Sequence, residues 1–143
     1  LSLHDALPIS TATGAQIVTD ILQMIDQSIG KNMFGPFVLY VSYAAMTHFA
    51  EDYKADGDKT ILQRIKEIPM IADVKASTYV LSTEALLIQM TDDVVDMVDG
   101  MSPTTLEWDS HAGFVAHFKV MAIMIPRVRN DMLNQSGVTH HSV

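Results

Sequence analysis

Residues 114–125 read FVAHFKVMAIMI, and this run constrains the fold more than any other stretch. Side chains on an extended strand alternate between faces. One face then carries Phe114, Ala116, Phe118, Val120, Ala122 and Met124, all apolar. The other carries Val115, His117, Lys119, Met121, Ile123 and Ile125. The pattern predicts a long strand with one buried face and one mixed face. Just upstream, Leu106 and Trp108 share one side of a second strand, and Thr105, Glu107 and Asp109 share the other. A turn at Ser110, His111, Ala112 and Gly113 makes the pair a hairpin. Matching apolar side to apolar side sets Leu106 and Trp108 with Phe118. It also sets Glu107 beside His117 and Lys119, where opposite charges pair across strands. The alternation alone does not set the register.

The preceding chain reads as helices and short strands. Thr13 and Gln16 have the spacing of a capping box. The helix that follows, to about residue 29, has an apolar stripe of Ile17, Ile21, Met24 and Ile25 with Ser28, and Gly30 is placed as its terminator. Gly35 and Pro36 make a turn. Residues 37–41, FVLYV, are nearly all apolar, as suits a strand covered on both faces. Ser42 is placed to cap a helix over 43–53 with Ala45, Met46, Phe49 and Tyr53 inward. Asp58 is placed to cap another over 59–68 with Ile61, Leu62, Ile65 and Ile68 inward. Extended segments are expected at 70–75, 78–81 and 86–90. A short helix is expected over 93–98, capped by Thr91 or Asp92 and ended by Gly100, with Pro103 leading into the hairpin. A small strand is expected at 138–140. The fold class is α+β: a small central sheet flanked by helices, then a long β-hairpin. The first ten residues, LSLHDALPIS, lack a basic segment and a long apolar segment, so they do not read as a signal peptide. They resemble a translated sequencing adapter. The expected division is a non-native leader at 1–10, an α+β unit at 11–101, and the hairpin with its C-terminal return at 102–143.

Composition matters mainly for what it excludes. The formal net charge is −8 with nine Lys and Arg, scattered along the chain, which argues against a nucleic-acid-binding surface. There is no cysteine, hence no disulfide, zinc–thiolate site or cysteine nucleophile. No apolar run reaches the roughly eighteen residues of a membrane-spanning helix. The ten methionines suit core filling or adaptable contacts between subunits.

Few residues point to chemistry. Asp109, His111 and His117 would hold a metal if they converged, but their spacing matches no metal motif. The plainer reading is a solvated turn, with His117 facing Glu107. Asp92, Asp93, Asp96 and Asp99 lack the alternation and central glycine of a calcium loop, so they read as a solvated acidic helix face. His140 and His141 read as a frayed tail. The dispersed glycines make no phosphate loop, and no GxSxG elbow occurs. No cofactor is implied and no catalytic residue is nominated. Arg127 and Arg129 alternate on one side of a strand end, and read either as a carboxylate clamp across a subunit boundary or as an ordinary exposed strand end.

Three segments together carry a resemblance: LLIQMTDDVVDMVDGM at 86–101, PTTLEW at 103–108 and HFKVMAIMIPRVR at 117–129. The chain, from about Ala15 on, resembles the C-terminal part of a tailed-phage major capsid protein of the Hong Kong 97-type shell fold, which encapsulins also use. The resemblance implies an axial domain followed by part of a peripheral domain. It implies an N-terminal arm, extended loop and spine helix upstream, so that this chain is truncated at its N-terminus. It also implies a non-enzymatic subunit that self-assembles into an icosahedral shell, located in the virion and assembled in the bacterial host cytoplasm. Its partners are further copies, with a scaffold, protease or portal, and no membrane. It places Arg127, Arg129, Glu107 and Lys119 as candidate assembly-interface residues. The alternatives are an encapsulin-type nanocompartment shell, or a small metal- or ligand-binding α+β domain built on Asp109, His111 and His117.

Overall fold

The structure, a computed structural model, describes residues 12–54, 57 and 59–142. The leader expected at 1–10 and the helix cap expected at Asp58 lie outside the described residues. Helix α1 spans Gly14–Ile29 with Thr13 as its N-cap. The Gln16 side-chain oxygen accepts the Thr13 backbone N–H at 2.9 Å, so an orphan donor at the helix start is satisfied locally. Its buried stripe is the expected one, Ile17, Ile21, Met24, Ile25 and Ser28. Gly30 ends the helix in a right-handed conformation, and the left-handed turn residue is Asn32 instead (φ 60°). The Met33 N–H then reaches back to the Ser28 carbonyl at 3.0 Å.

Strand β1 is Phe37–Val41, as the sequence suggests. It lies inside a four-stranded sheet of order β2-β1-β3-β6, where β2 is Ile71–Ala76, β3 is Glu84–Gln89 and β6 is Val138–Ser142. β1 runs parallel to β2 and antiparallel to β3, and β6 pairs antiparallel with β3. Phe37, Leu39 and Val41 are completely buried, because they point from the middle of the sheet into the helical layer. α1 covers the β6 side. α2 (Tyr43–Phe49) and α3 (Ile61–Lys66) cover the β2 side. The core is therefore α1, α2 and α3 on one face of the sheet, with Phe49, Ile61, Ile65 and Leu87 closing it.

Several local expectations are corrected. α2 is capped by Ser42, whose Oγ accepts from Ala45 N at 3.1 Å, but it stops at Phe49 and does not reach residue 53. The chain instead makes extended contacts with the start of α3, through the Asp52–Thr60 bridge and the Tyr53 N–H to Lys59 carbonyl bond. α3 is capped by Thr60 in a capping box with Gln63, so it begins two residues later than expected. Residues 78–81 form turns, not a strand.

The largest corrections concern the hairpin. It is far longer than the sequence suggests: β4 is Val95–Ser110 and β5 is Val115–Val128. The helix expected over 93–98 does not form, because those residues pair with the end of β5, Val95 opposite Val128 and Val98 opposite Ile125. Gly100 and Pro103, taken as a helix stop and a lead-in, lie at register shifts inside β4. A bulge is where a strand accommodates such residues. The boundary expected at 101/102 thus falls within β4, and β6 returns to the central sheet.

β4 and β5 form a separate two-stranded sheet, so the supposedly buried face is open. Phe118 is 66% exposed, and Phe114, Val120 and Met124 are exposed as well. The register also differs from the apolar-to-apolar match. Trp108 lies opposite His117, Leu106 opposite Lys119, and Glu107 opposite Phe118. Glu107 therefore sits on the face away from Lys119 and His117, and no ion pair joins them.

Candidate functional site

The ribbon of β4 and β5 is the most unusual surface of the molecule. Directly opposed residues on antiparallel strands share a face, so the register assigns every side chain. The first face carries Val98, Met101, Leu106 and Trp108 from β4 with Val115, Met121, Ile123 and Ile125 from β5. The second carries Val95 and Met97 with Ala116, Phe118, Val120, Met124 and Val128. Most of these apolar side chains are exposed, including Trp108 at 49%. Two-stranded ribbons are marginal in water when nothing covers them, and contiguous exposed apolar area marks a surface built to be covered. The described turn end is ordered by polar contacts. The Trp108 and His117 rings stack with centroids 5.3 Å apart, and Ser110 Oγ lies 2.8 Å from His117 Nε2 and 3.1 Å from His111 Nδ1.

The base of the ribbon is closed by a three-residue ionic clamp. Arg127 Nε donates to Asp96 Oδ1 at 3.0 Å, and one Arg127 terminal nitrogen donates to Oδ2 at 2.6 Å. Arg129 donates to the same Oδ2 at 2.6 Å. Arg127 thus grips the carboxylate with two parallel bonds, the geometry in which guanidinium and carboxylate fit best. The hydrogen bonds from Arg127, and then those from Arg129, hold the Asp96 carboxyl at about 2, well below its ordinary 3.8. A group with a lowered folded-state pKa contributes stability that is fully present above the unfolded value and is lost as pH falls through the folded one. The clamp is therefore expected to persist through pH 4 and to open only as pH falls toward about 2. A side-chain carboxyl NMR titration checks this, and an Asp96 midpoint near that of a free aspartate would show that the clamp does not form.

The clamp expected across a subunit boundary forms within the chain instead: Arg127 and Arg129 both hold Asp96, because the two strands of the ribbon bring it alongside them. Asp96 was missed because it was assigned to a helix. Its place across from Arg127 depends on two register shifts in β4, at 99–101 and 101–104, which no local pattern marks. Glu107 and Lys119 are exposed on opposite faces of the ribbon, toward its turn end. The metal trio does not assemble. His117 is stacked on Trp108, Ser110 lies between the two histidines, and Asp109 is on the other face of the ladder. Among the described residues no group of three His, Asp or Glu is arranged to hold a metal. Asp92 and Asp93 border a depression beside Asp96 and Arg129.

The C-terminal histidines are not a frayed tail. His141 is 1% exposed within β6, opposite Ala85, and neither ring nitrogen has a hydrogen-bond partner among the described residues. Two residues earlier, Thr139 Oγ1 is 2.8 Å from Ser28 Oγ on α1, which ties this edge strand to the helical layer. Burial pushes the Asp20 carboxyl on α1 upward, and the attraction of His141 partly offsets that.

No helix among the described residues is long and apolar enough to cross a membrane. No curated protein matches the sequence. Among solved structures, the chain is similar to the crystal structure of a virus-like particle from Pyrococcus furiosus, at 19% identity and a TM-score of 0.65. The match covers 91% of this chain and 52% of that one, so the chain spans about half the length of that subunit and shares its fold over that half. A sequence profile for a family of unknown function (DUF6260) matches residues 4–141. With nearly its whole length matched, the chain belongs to this family, DUF6260, whose function is unknown.

Proposed function

We propose that the chain is a structural subunit of a self-assembling protein shell, and within that class the major capsid protein of a tailed phage with the Hong Kong 97-type fold. The observation that carries the reading is the ribbon, whose two long strands expose apolar side chains on both faces. Such a surface is stable in water when other protein covers it. The fold shared with a virus-like particle supports the same class. In a closed shell each subunit makes several contacts at once, so each contact needs only modest strength. The function needs no catalytic group or cofactor. Its partners are further copies, with a scaffold, protease or portal, and its place is the virion, after assembly in the bacterial host cytoplasm.

The run HFKVMAIMIPRVR at 117–129 resembles the phage proteins more than the encapsulins, which favours the phage reading. An encapsulin-type compartment is the second reading, favoured by the likeness to a particle described as virus-like. The test is to express the complete reading frame that encodes these residues in bacteria, with and without neighbouring scaffold genes, and examine the product by electron microscopy. Closed particles tens of nanometres across are expected. Nuclease-protected DNA inside them marks a capsid, and a packaged protein marks a compartment. A product that stays monomeric in every condition, scaffold included, refutes the shell function.

A further inference from the structure

His141 occupies a place that suits neither of its protonation states. Its ring is 1% exposed within β6, and neither nitrogen has a hydrogen-bond partner among the described residues. A neutral imidazole carries one N–H donor and one acceptor, and both are unmet here. Protonation would add a second donor and a full charge, and a buried charge is costly unless it is paired. The surrounding elements offer no contact pair. β6 packs on β3 at one side and beneath α1. Glu84 is the only charged residue of β3, and it lies 3.6 Å from His140, on the face of the sheet away from His141. α1 carries only Asp20 and Asp26. Asp26 is exposed. Asp20 attracts His141 but makes no hydrogen bond with its ring.

The strand that holds this ring is built to open locally. β6 has five residues, lies at the edge of the sheet and pairs with β3 alone. Its tie to the helical layer is the contact of Thr139 Oγ1 with Ser28 Oγ at 2.8 Å. Short edge elements with few partners open at a lower cost than the whole fold.

We infer that His141 makes β6 an acid-released strand: protonation of the ring frees β6 from β3 and α1 while the rest of the sheet stays folded. A histidine on a detached strand takes a proton freely below about pH 6.5. The same ring in the sheet takes one only by placing a charge in the core. Acid therefore favours the detached form, because that form binds the extra proton. The stability that the seated ring allows is fully present above about pH 6.5 and is lost below it. Asp20 tempers the effect in two ways. Its carboxylate is the counter-charge on α1 for His141. Burial also holds that carboxyl above its ordinary range, so its own protonation in acid relieves the fold.

Amide hydrogen exchange on the 143-residue chain, corrected for the intrinsic pH dependence of exchange, provides the test. The Gln89 N–H bonds the Gly137 carbonyl, so by alternation the Thr139 and His141 amides also face β3. From about pH 7.5 to about pH 5 those two amides should lose about tenfold in protection, within a ceiling of about thirtyfold set by a free histidine. The Leu39 amide in the interior strand should change by less than about twofold. His141→Phe, which fills the site without a titrating group, should abolish the loss. Asp20→Asn, which removes the counter-charge and its offset, should enlarge it. His140→Asn should leave it in place. Protection of β6 that does not change with pH overturns the inference, and so does a loss that survives in His141→Phe or disappears in His140→Asn. A loss no larger in Asp20→Asn than in the parent overturns it as well. Equal losses at Leu39 and His141 would mean general acid unfolding and would also sink it. Should His141→Phe fail to fold, the Asp20→Asn and His140→Asn comparisons still decide.

Discussion

Replacing Phe37 with alanine is expected to destabilise the fold by about 3–5 kcal/mol, whereas the same change at Phe118 moves it by less than about 0.5 kcal/mol. Phe37 is completely buried at the start of β1, with the sheet on both sides and the helical layer above it. Removing its ring loses the transfer energy of the buried atoms and leaves a cavity that close-packed neighbours fill only in part. Phe118 has the same chemistry on a strand, but no layer of the described residues covers it. Urea unfolding of the two variants side by side decides the matter. Native stabilities of single domains are about 5–15 kcal/mol, so Phe37→Ala should sit near the edge of folding while Phe118→Ala melts with the parent. Equal losses at the two sites would mean that the ribbon is packed into the core.

Gly137→Ala should also be costly, by about 1–3 kcal/mol, through overpacking. A Cβ at this position would lie 2.7 and 2.8 Å from the two methyls of Val94 and 3.2 Å from Gln89 Cβ. Val94 is only 2% exposed and cannot swing clear. The spot is also a junction. The Gly137 carbonyl accepts the Gln89 N–H at 2.9 Å, joining β6 to β3, and the Val94 carbonyl accepts the Arg129 N–H at 2.8 Å, joining the two ends of the ribbon. A displacement here disturbs both the edge strand and the base of the ribbon. Combining Gly137→Ala with Val94→Ala, which removes both clashing methyls, should restore part of the lost stability, a coupling that a double-mutant cycle measures directly. Additive losses in the double variant would show that the crowding is not the cause.

Local chemistry made several elements legible, although the equally local capping box of Thr60 and Gln63 was passed over. Thr13 with Gln16 starts α1, Ser42 caps α2, and the unbroken apolar run at 37–41 is the interior strand. These features depend on side chains reaching backbone groups a few residues away, or on a strand needing cover on both faces, and both leave a mark in a short window. The candidate site was legible in part for the same reason. Arg127 and Arg129 announce a clamp by their spacing, but their partner Asp96 lies thirty-one residues back along the chain from Arg127. Its strand was read as a helix because capping residues and aspartates resemble a helix start.

The sequence by itself determined the α+β class, the sheet and helix order through β1, and the two-faced alternation of β5. Only the tertiary structure decided that β4 runs on to Val95, that Trp108 faces His117, that β6 returns to bury His141, and that no layer of the described residues covers the ribbon. The physical reason is that alternation reports which side chains share a face and carries no information about what lies opposite that face. Apolar residues repeat with the same period whether the cover is the chain's own helices or another molecule, so burial is settled by contacts distant in sequence.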